Sequence, residues 1–266
     1  MKGTLRYVIT GFLMGCTMSV PGVSGGTTAM ALGYYEPMMK AAAFPQKKEN
    51  LLFLLRLGIG GVAGFFSGAK VLNLAFLRFP LAVTLLFGSA VLYGCFCMAK
   101  ETVRYGIGAH GIFLFLTGFL TVLAVERIPP AGECDSFFLQ ILWGVFLAAG
   151  FILPGISTSH LLTVFGLYGA LSQWTADTLS LLLPVGIGLG LGTVLLIKPL
   201  SAAWDRFPAE CNLALLGFSV GSLGGLVKPC LQSPRLTYLP LLQIGVGLVL
   251  AVGACLLLRK MQKNNS

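Results

Sequence analysis

Two short loops in this chain combine the residue types that hold an anion without a basic side chain. The first is Pro21-Gly22-Val23-Ser24, and Pro154-Gly155-Ile156-Ser157 follows it at a spacing of 133 residues. In each loop proline ends a helix, glycine permits a turn, and serine caps the next helix. Backbone N–H groups and the positive end of the helix dipole then face the loop. Both loops are therefore predicted to bind a phosphate or a carboxylate.

The predicted anion site takes in both loops and the residues that begin the following helices. The first loop supplies mainly backbone N–H groups, and the second supplies more hydroxyl groups. The alternative is that each Pro-Gly-x-Ser only kinks a helix and caps its continuation. Two copies in matching positions favour the binding site. Its residues are Pro21, Gly22, Ser24, Gly25, Gly26, Thr27, Pro154, Gly155, Ser157, Thr158, Ser159 and His160.

Seven further residues are candidates for coupling or for contact with a charged headgroup. Glu36 is either a proton-coupling carboxylate or a residue at the cytoplasmic end of its helix. His160 either titrates near neutral pH or serves a structural role. The four basic candidates either catch a phosphate or anchor span ends in the interface. The seven are Tyr35, Glu36, Tyr168, Lys70, Lys198, Arg78 and Arg206.

The elements that position these residues are predicted to be membrane helices. Hydrophobic residues make up 56% of the chain and charged residues 10%, and the mean hydropathy is +0.87. This composition leaves too little polar surface to cover a soluble globule. A single integral membrane domain, residues 1–266, is predicted. Apolar runs of roughly the ~20 residues that span a bilayer lie at 51–69, 81–99, 107–125, 179–197, 213–227 and 239–258.

An internal repeat covers most of the chain. Beyond the loops, Arg78-Phe79-Pro80 and Arg206-Phe207-Pro208 match at a spacing of 128 residues, as do Lys70 and Lys198. The repeats span about residues 4–127 and 137–259. Each is predicted to be a Pro-Gly-broken helical hairpin, either re-entrant or fully spanning, followed by three transmembrane helices. Three or five crossings per half are both odd, so an all-α fold with two inverted-topology repeats is expected.

Charges in the loops orient this topology. With both termini in the cytoplasm, thirteen Lys and Arg residues lie inside and five outside, as the positive-inside rule requires. The net charge of +9 then suits anionic phospholipid headgroups and needs no nucleic-acid partner. The seven cysteines have no metal-ligand spacing. Neither a metal nor a cofactor is expected, and the oligomeric state is not predicted.

The chain resembles the PopT family of bacterial polyprenyl-phosphate translocases through its two loops and their tails: Pro21-Gly22-Val23-Ser24-Gly25-Gly26-Thr27, Gly33-Tyr34-Tyr35-Glu36, Pro154-Gly155-Ile156-Ser157 and Gly166-Leu167-Tyr168. The resemblance implies a multi-pass protein of the bacterial inner membrane. It also implies a flippase that returns undecaprenyl phosphate from the outer to the inner leaflet, for cell-wall and surface-glycan synthesis. One departure is Ser157-Thr158-Ser159-His160, where a glycine-containing loop is expected.

Two rival functions remain open at this point. One is a transporter of another anionic lipid or a small anion, which the residues alone support equally well. The other is an integral membrane polyprenyl-pyrophosphate phosphatase, a class that also has inverted repeats and Pro-Gly-x-Ser loops. That class uses an arginine in the serine-containing loop and clustered glutamates, and both are missing here. The chain is therefore predicted not to be an enzyme, with no catalytic residues.

Overall fold

The structure is a computed structural model that describes residues 2–18, 20, 22–129, 136–167, 176–234 and 240–263. Within these ranges all regular secondary structure is helical, which confirms the all-α prediction. The helices are α1 (Lys2–Thr17), α2 (Gly25–Leu32), α3 (Tyr35–Ala43), α4 (Lys48–Arg78), α5 (Pro80–Tyr105), α6 (Ala109–Val125), α7 (Phe137–Ile152), α8 (Thr158–Val164), α9 (Ala176–Arg206), α10 (Pro208–Gly221), α11 (Leu223–Leu231) and α12 (Pro240–Lys263).

Within the described residues, five stretches are long and apolar enough to cross a membrane: Lys48–Gly68, Pro80–Tyr105, Leu181–Arg206, Pro208–Leu231 and Pro240–Gln262. Large apolar side chains on them point outward, such as Leu241, which is 83% exposed. Such exposure suits lipid contact and is unfavourable in water. The predicted run 107–125 falls on α6, which has only 17 residues. The predicted run 213–227 is divided between α10 and α11, because Ser222 separates them.

The first Pro-Gly-x-Ser loop is the tip of an antiparallel helical hairpin formed by α1 and α2. Near the tip, the Thr17 and Thr28 hydroxyls are 2.7 Å apart. At the open end, Tyr34 follows α2 and packs against Tyr7 of α1, with ring centroids 6.1 Å apart. The chain therefore reverses direction at this loop, whereas a kinked helix would continue onward.

The second loop is the tip of a similar hairpin, formed by α7 and α8. Near this tip the Thr158 hydroxyl donates to the Gly150 carbonyl at 3.4 Å. At the far end of α8, Phe165 stacks on Trp143 with ring centroids 5.5 Å apart. The local backbone also repeats: Gly33 and Gly166 have φ values of 75° and 71°. The sequence repeat is thus matched by repeated local structure.

Each hairpin packs through small residues against a long helix that runs parallel to its first arm. Along α4, Gly60, Gly64 and Gly68 contact the backbone or side chains of α1 at Val8, Phe12 and Cys16 in the same order. Along α9, Gly188 and Gly192 contact α7 at Ile141 and Val145. Glycine at every fourth position lets two helix backbones approach closely.

The remaining long helices form two further parallel pairs. Helix α5 runs beside α12, because Leu81 bonds to Gln243 and Tyr93 to Gln262. Helix α6 runs beside α10, since Gly111 contacts Leu213 and Gly221 contacts Val122. Helix α5 is antiparallel to the α10–α11 pair: Gly88 lies near Leu226 of α11, and Cys95 lies near Ser219 of α10.

These pairings define two ends of the bundle. At one end the Arg6 guanidinium donates to the Met261 carbonyl at 2.8 Å. The start of α1 therefore lies beside the end of α12. We call this the Arg6 end. After α5 the chain reverses direction at residues 106–108. Helix α6 then runs to the opposite side of the bundle, where Glu126 follows its last residue. We call that side of the bundle the Glu126 end.

Candidate functional site

At the first hairpin tip, Ser24 caps α2 as predicted. Its Oγ accepts the Thr27 backbone N–H at 3.2 Å, while the Thr27 hydroxyl oxygen accepts the Ser24 backbone N–H at 2.9 Å. This reciprocal pair is a capping box. Ser24 is 1% exposed and Thr27 is fully buried. Gly25 and Gly26 are buried as well, so in this conformation the predicted donors are inside the protein.

At the second tip, Ser157 caps α8 as predicted. Its Oγ accepts the His160 backbone N–H at 3.4 Å. Ser157 is 9% exposed and Thr158 is 4% exposed. The His160 ring reaches outward from the tip, with Nε2 3.0 Å from the Val125 carbonyl oxygen at the end of α6. Of the predicted site residues, Pro21, Tyr168 and the side chains of Ser159 and Lys70 lie outside the described residues.

The two tips touch each other. The Gly155 backbone N–H donates to the Ser24 Oγ at 3.2 Å, joining positions 131 residues apart. Beside this bond, a Cβ added at Gly26 would lie 3.1 Å from the Pro154 Cα. One serine oxygen therefore accepts a bond from its own helix and another from the opposite tip.

The glycines of both tips rest on the backbone of the α10–α11 helix pair. Gly155, with φ 92°, contacts Phe218 and Ser219, and Gly22, with φ 77°, contacts Leu226. A positive φ is unfavourable for residues with a Cβ, and at both positions a Cβ would meet backbone atoms. Close approach and backbone conformation therefore both require glycine here.

Tyr35 links the first repeat to the end of α7. Its hydroxyl donates to the Ile152 carbonyl at 2.8 Å, and the side chain is 3% exposed. Ile152 is the last residue of α7, where carbonyl groups lack partners within the helix. Tyr35 therefore ties α3 to the segment that leads into the second tip.

The charged candidates lie on exposed surfaces. Glu36 pairs with Lys40 at 2.7 Å, and their side chains are 44% and 52% exposed. The Lys40 ammonium is also 3.9 Å from Asp205. The other described basic candidates, Lys198, Arg78 and Arg206, are exposed.

Arg78 and Arg206 finish α4 and α9, and the backbone after them is nearly identical. Phe79 has φ −134° and ψ 60°, and Phe207 has φ −134° and ψ 61°. The Arg206 guanidinium also lies over the Phe207 ring, 5.3 Å from its centroid. The two basic residues therefore occupy equivalent helix ends in the two halves.

Glu126 is a functional candidate that sequence reasoning did not select. It follows α6 directly, beside the Val125 carbonyl that contacts His160. Its carboxylate lies against Gly224 and Gly225 near the start of α11, and Gly225 in turn lies against Gly22 of the first tip. The missed signal was an acidic residue directly after an apolar run.

Opposing effects act on the Glu126 carboxyl group. Burial raises its pKa, whereas the Gly225 backbone N–H and the Lys228 ammonium favour the charged form and lower it. The raising effect is the largest, so the pKa lies above the ordinary value of 4.5.

The described residues contain no group of three or more His, Cys, Asp or Glu side chains that could hold a metal ion. The groups present at the two tips offer hydrogen bonding and dipole stabilisation. Backbone N–H groups and hydroxyls at two helix N-termini can replace part of the hydration of an anion. In this conformation the Gly155 N–H and the Ser24 hydroxyl oxygen are bonded to each other across the contact between the tips.

A family model described as undecaprenyl phosphate translocase-like matches residues 14–232, which include both tips. A protein of Vibrio cholerae serotype O1, named polyprenyl-phosphate transporter, is 24% identical over 243 residues. The match covers 83% of this chain and 77% of that protein. No solved structure matches the chain. Both descriptions name transport, in agreement with the prediction that the chain is not an enzyme.

Proposed function

We propose that this chain, which belongs to the undecaprenyl phosphate translocase-like family, moves a polyprenyl phosphate between the two leaflets of a membrane. The observation that carries the proposal is the bond between the hairpin tips, from the Gly155 N–H to the Ser24 Oγ at 3.2 Å. Anion-binding groups from both halves of the chain meet there. A single phosphate at this point can be held by both tips.

The helix packing supports two halves of opposite orientation. Helix α5 is antiparallel to the α10–α11 pair. A single residue joins α4 to α5 and α9 to α10, and spans joined so tightly cross a membrane in opposite directions. It follows that α4 and α9 are antiparallel, as are α1 and α7, which run parallel to them. This supports inverted repeats at about residues 4–127 and 137–259 within one domain of residues 1–266.

The dimensions of the hairpins support re-entrant segments. Helices α1 and α7 have 16 residues each, or about 24 Å of helix, which is less than the ~30 Å hydrocarbon core. Each hairpin also returns to the end at which it began. On this proposal the two tips enter the membrane from opposite sides and meet inside it. Non-helical backbone is tolerated there only when it is buried in protein or lines a cavity.

The tip contact gives the proposal a mechanism. A lipid phosphate that displaces Gly155 from the Ser24 Oγ frees the Gly155 N–H for its own oxygens. The Ser24 hydroxyl and the N-terminus of α2 add further stabilisation of the negative charge. Only the headgroup enters the protein, while the polyprenyl tail remains in the lipid. Movement of one half against the other then exposes the phosphate to alternate sides.

Other expected roles remain part of the proposal. Tyr35, Glu36, His160 and Tyr168 are candidates for coupling. Basic residues at or near the ends of α4 and α9 attract the phosphate to either entrance. In the cell, the direction is from the outer to the inner leaflet of the bacterial cytoplasmic membrane, with both termini inside. The charged candidates are Lys70, Lys198, Arg78 and Arg206.

The test uses the full chain purified into liposomes that contain undecaprenyl phosphate in both leaflets. A water-soluble phosphatase added outside hydrolyses only the outer-leaflet lipid unless the protein supplies the rest. We expect nearly complete hydrolysis with the wild-type chain and little beyond the outer-leaflet share with Ser24→Ala. Ser67→Ala is the matched control, because Ser67 is exposed on α4 and bonds only to the Ala63 carbonyl.

Two results would contradict the proposal. Hydrolysis that stops at the outer leaflet with the wild-type chain excludes undecaprenyl phosphate as substrate and leaves a transporter of another anion. Equal transport by Ser24→Ala and the wild type excludes the tips as the binding site. In cells that lack other recycling proteins, depletion of the chain is expected to raise surface-exposed undecaprenyl phosphate. An impermeant probe measures this and tests the direction.

A further inference from the structure

Among the described residues, two buried side-chain oxygen atoms at equivalent positions of the repeat have no hydrogen-bond partner. They are the hydroxyl oxygen of Thr84 and the Oδ1 of Asn212. Thr84 is 8% exposed and Asn212 2%. They follow the repeated Arg-Phe-Pro sequence at the same distance, 128 residues apart. Thr10 is also unpaired, but its equivalent in the second half is Trp143.

The unpaired Thr84 hydroxyl differs from the hydroxyls of four other helical threonines in this chain. Thr102, Thr117, Thr121 and Thr193 each donate to the carbonyl four residues earlier, at 2.7–2.8 Å. That local bond is the usual way for a hydroxyl to be satisfied in a helix. A buried polar group without a partner lowers stability. Two such groups at equivalent positions therefore call for a functional explanation.

Thr84 and Asn212 lie on the faces that α5 and α10 turn toward each other. Thr84 shares a face with Gly88, four residues on, and Gly88 lies near Leu226 of the partner helix pair. Asn212 shares a face with Ser219, seven residues on, and Ser219 interacts with Cys95. Because the helices are antiparallel, Thr84 lies toward the Glu126 end and Asn212 toward the Arg6 end.

The hairpin tips lie beside the middle of this seam between α5 and α10. Gly155 rests on Phe218 and Ser219, and Gly22 rests on Leu226. The two unpaired groups thus flank the tips, one on each side. This arrangement is expected of two headgroup-binding positions, one before and one after the contact between the tips, on a transport path that passes through that contact.

We infer that Thr84 and Asn212 are headgroup-binding residues, which bind the phosphate of the lipid before and after it passes the tips. This inference rests on the proposed function. The Thr84 hydroxyl can donate to a phosphate oxygen. If the Asn212 side-chain amide rotates, its Nδ2 can donate a hydrogen bond to a phosphate oxygen. Without rotation, its Oδ1 can accept a hydrogen bond from a phosphate P–OH group. Each position is unpaired because its partner is the substrate.

The test separates a transport role from a structural one by measuring two properties of each variant. Thr84→Val and Asn212→Leu remove the unpaired groups with little change in volume. We expect the melting temperature to be unchanged or higher, because the Thr84 hydroxyl and the Asn212 Oδ1 have no partner among the described residues, and liposome transport to fall at least about tenfold. Thr84→Ser, which keeps the hydroxyl, is expected to retain transport. Thr193→Val is the control, because its hydroxyl bonds locally on α9.

The outcomes distinguish the two proposals. If the wild type transports the lipid, and Thr84→Val and Asn212→Leu transport it equally well, the headgroup-binding role alone is overturned. A fall in melting temperature that accompanies the loss of transport also overturns it, since that result means the groups are bonded within the protein. A wild-type chain that moves no undecaprenyl phosphate overturns the proposed function and this inference with it.

Discussion

The Ser24 side-chain oxygen and the Gly155 backbone nitrogen are 3.2 Å apart, in a buried hydrogen bond between the two hairpin tips. The same oxygen accepts the Thr27 N–H at 3.2 Å. One hydroxyl thus caps a helix in the first half of the chain and holds a loop of the second half. Any movement that separates the two tips must break this bond.

Replacing Ser24 with alanine removes both bonds and leaves two buried N–H groups unpaired. Loss of an N-cap alone lowers stability by about 0.5–2 kcal/mol. We expect Ser24→Ala to lose about 2–4 kcal/mol in total, because the Gly155 N–H is also orphaned. Chemical denaturation of the purified protein in detergent measures this loss. Stability equal to that of Ser67→Ala would show that the cap and the tip contact contribute nothing.

Gly155→Ala is expected to prevent the second tip from packing on α10. The added Cβ meets the Phe218 carbonyl, and φ at this position is 92°. Neither the backbone clash nor the left-handed conformation can be relieved by a side-chain rotation, so we expect a loss of at least about 2 kcal/mol and poor folding. Thermal unfolding and the yield of monodisperse protein measure the effect.

The matched control for that substitution is Gly58→Ala. A Cβ at Gly58 has no atom within 4 Å, and the position lies inside helix α4. Alanine there is expected to raise stability by up to about 1 kcal/mol, since glycine is the weaker helix former. If both substitutions had the same effect, close packing of Gly155 would not be the cause.

Tyr35→Phe removes the bond to the Ile152 carbonyl while keeping the ring against Trp204 at 5.6 Å. A buried carbonyl without its donor costs about 1–3 kcal/mol. We expect a loss of that size, together with faster hydrogen exchange at the end of α7. Tyr105→Phe provides the control, because Tyr105 is 56% exposed. Unchanged exchange at residues 149–153 would argue against Tyr35 as the link between α3 and the second tip.

Glu126→Gln is expected to alter the pH dependence of stability. Burial raises the pKa of Glu126 above 4.5, so the folded protein binds this proton more tightly than the unfolded chain does. Stability from this group is therefore greatest at low pH and falls as pH rises from about 4.5 through the folded-state pKa. Glutamine cannot ionise, so the variant is expected to lose less stability over that interval.

Melting temperatures between pH 4 and pH 8 measure the difference between the two proteins. Glu101→Gln is the control, because Glu101 is an exposed carboxylate on α5. Identical pH profiles for the wild type and Glu126→Gln would show that the carboxyl group has the same affinity for protons in both states. A rising difference with pH, present only for Glu126, is the expected result.

Much of the local structure followed from the sequence. Ser24 and Ser157 cap helices as predicted, because a cap depends only on atoms three residues away. Gly60, Gly64 and Gly68 all face α1, because a spacing of four residues places them on one side of α4. By contrast, α6 is shorter than the other spans, and the break at Ser222 was not predicted. The sequence Gly221-Ser222-Leu223-Gly224-Gly225 is a weak signal inside an apolar run.

What the sequence by itself determined is the membrane character, the helices and the two matching loops, because composition and local hydrogen bonds dictate these. Only the tertiary structure decided that Ser24 bonds to Gly155, that Glu126 lies against Gly225, and that Thr84 and Asn212 are left unpaired. Those relationships join positions more than ninety residues apart or depend on every neighbour of a side chain. They are set by how the two halves pack, and no local pattern of residues encodes that packing.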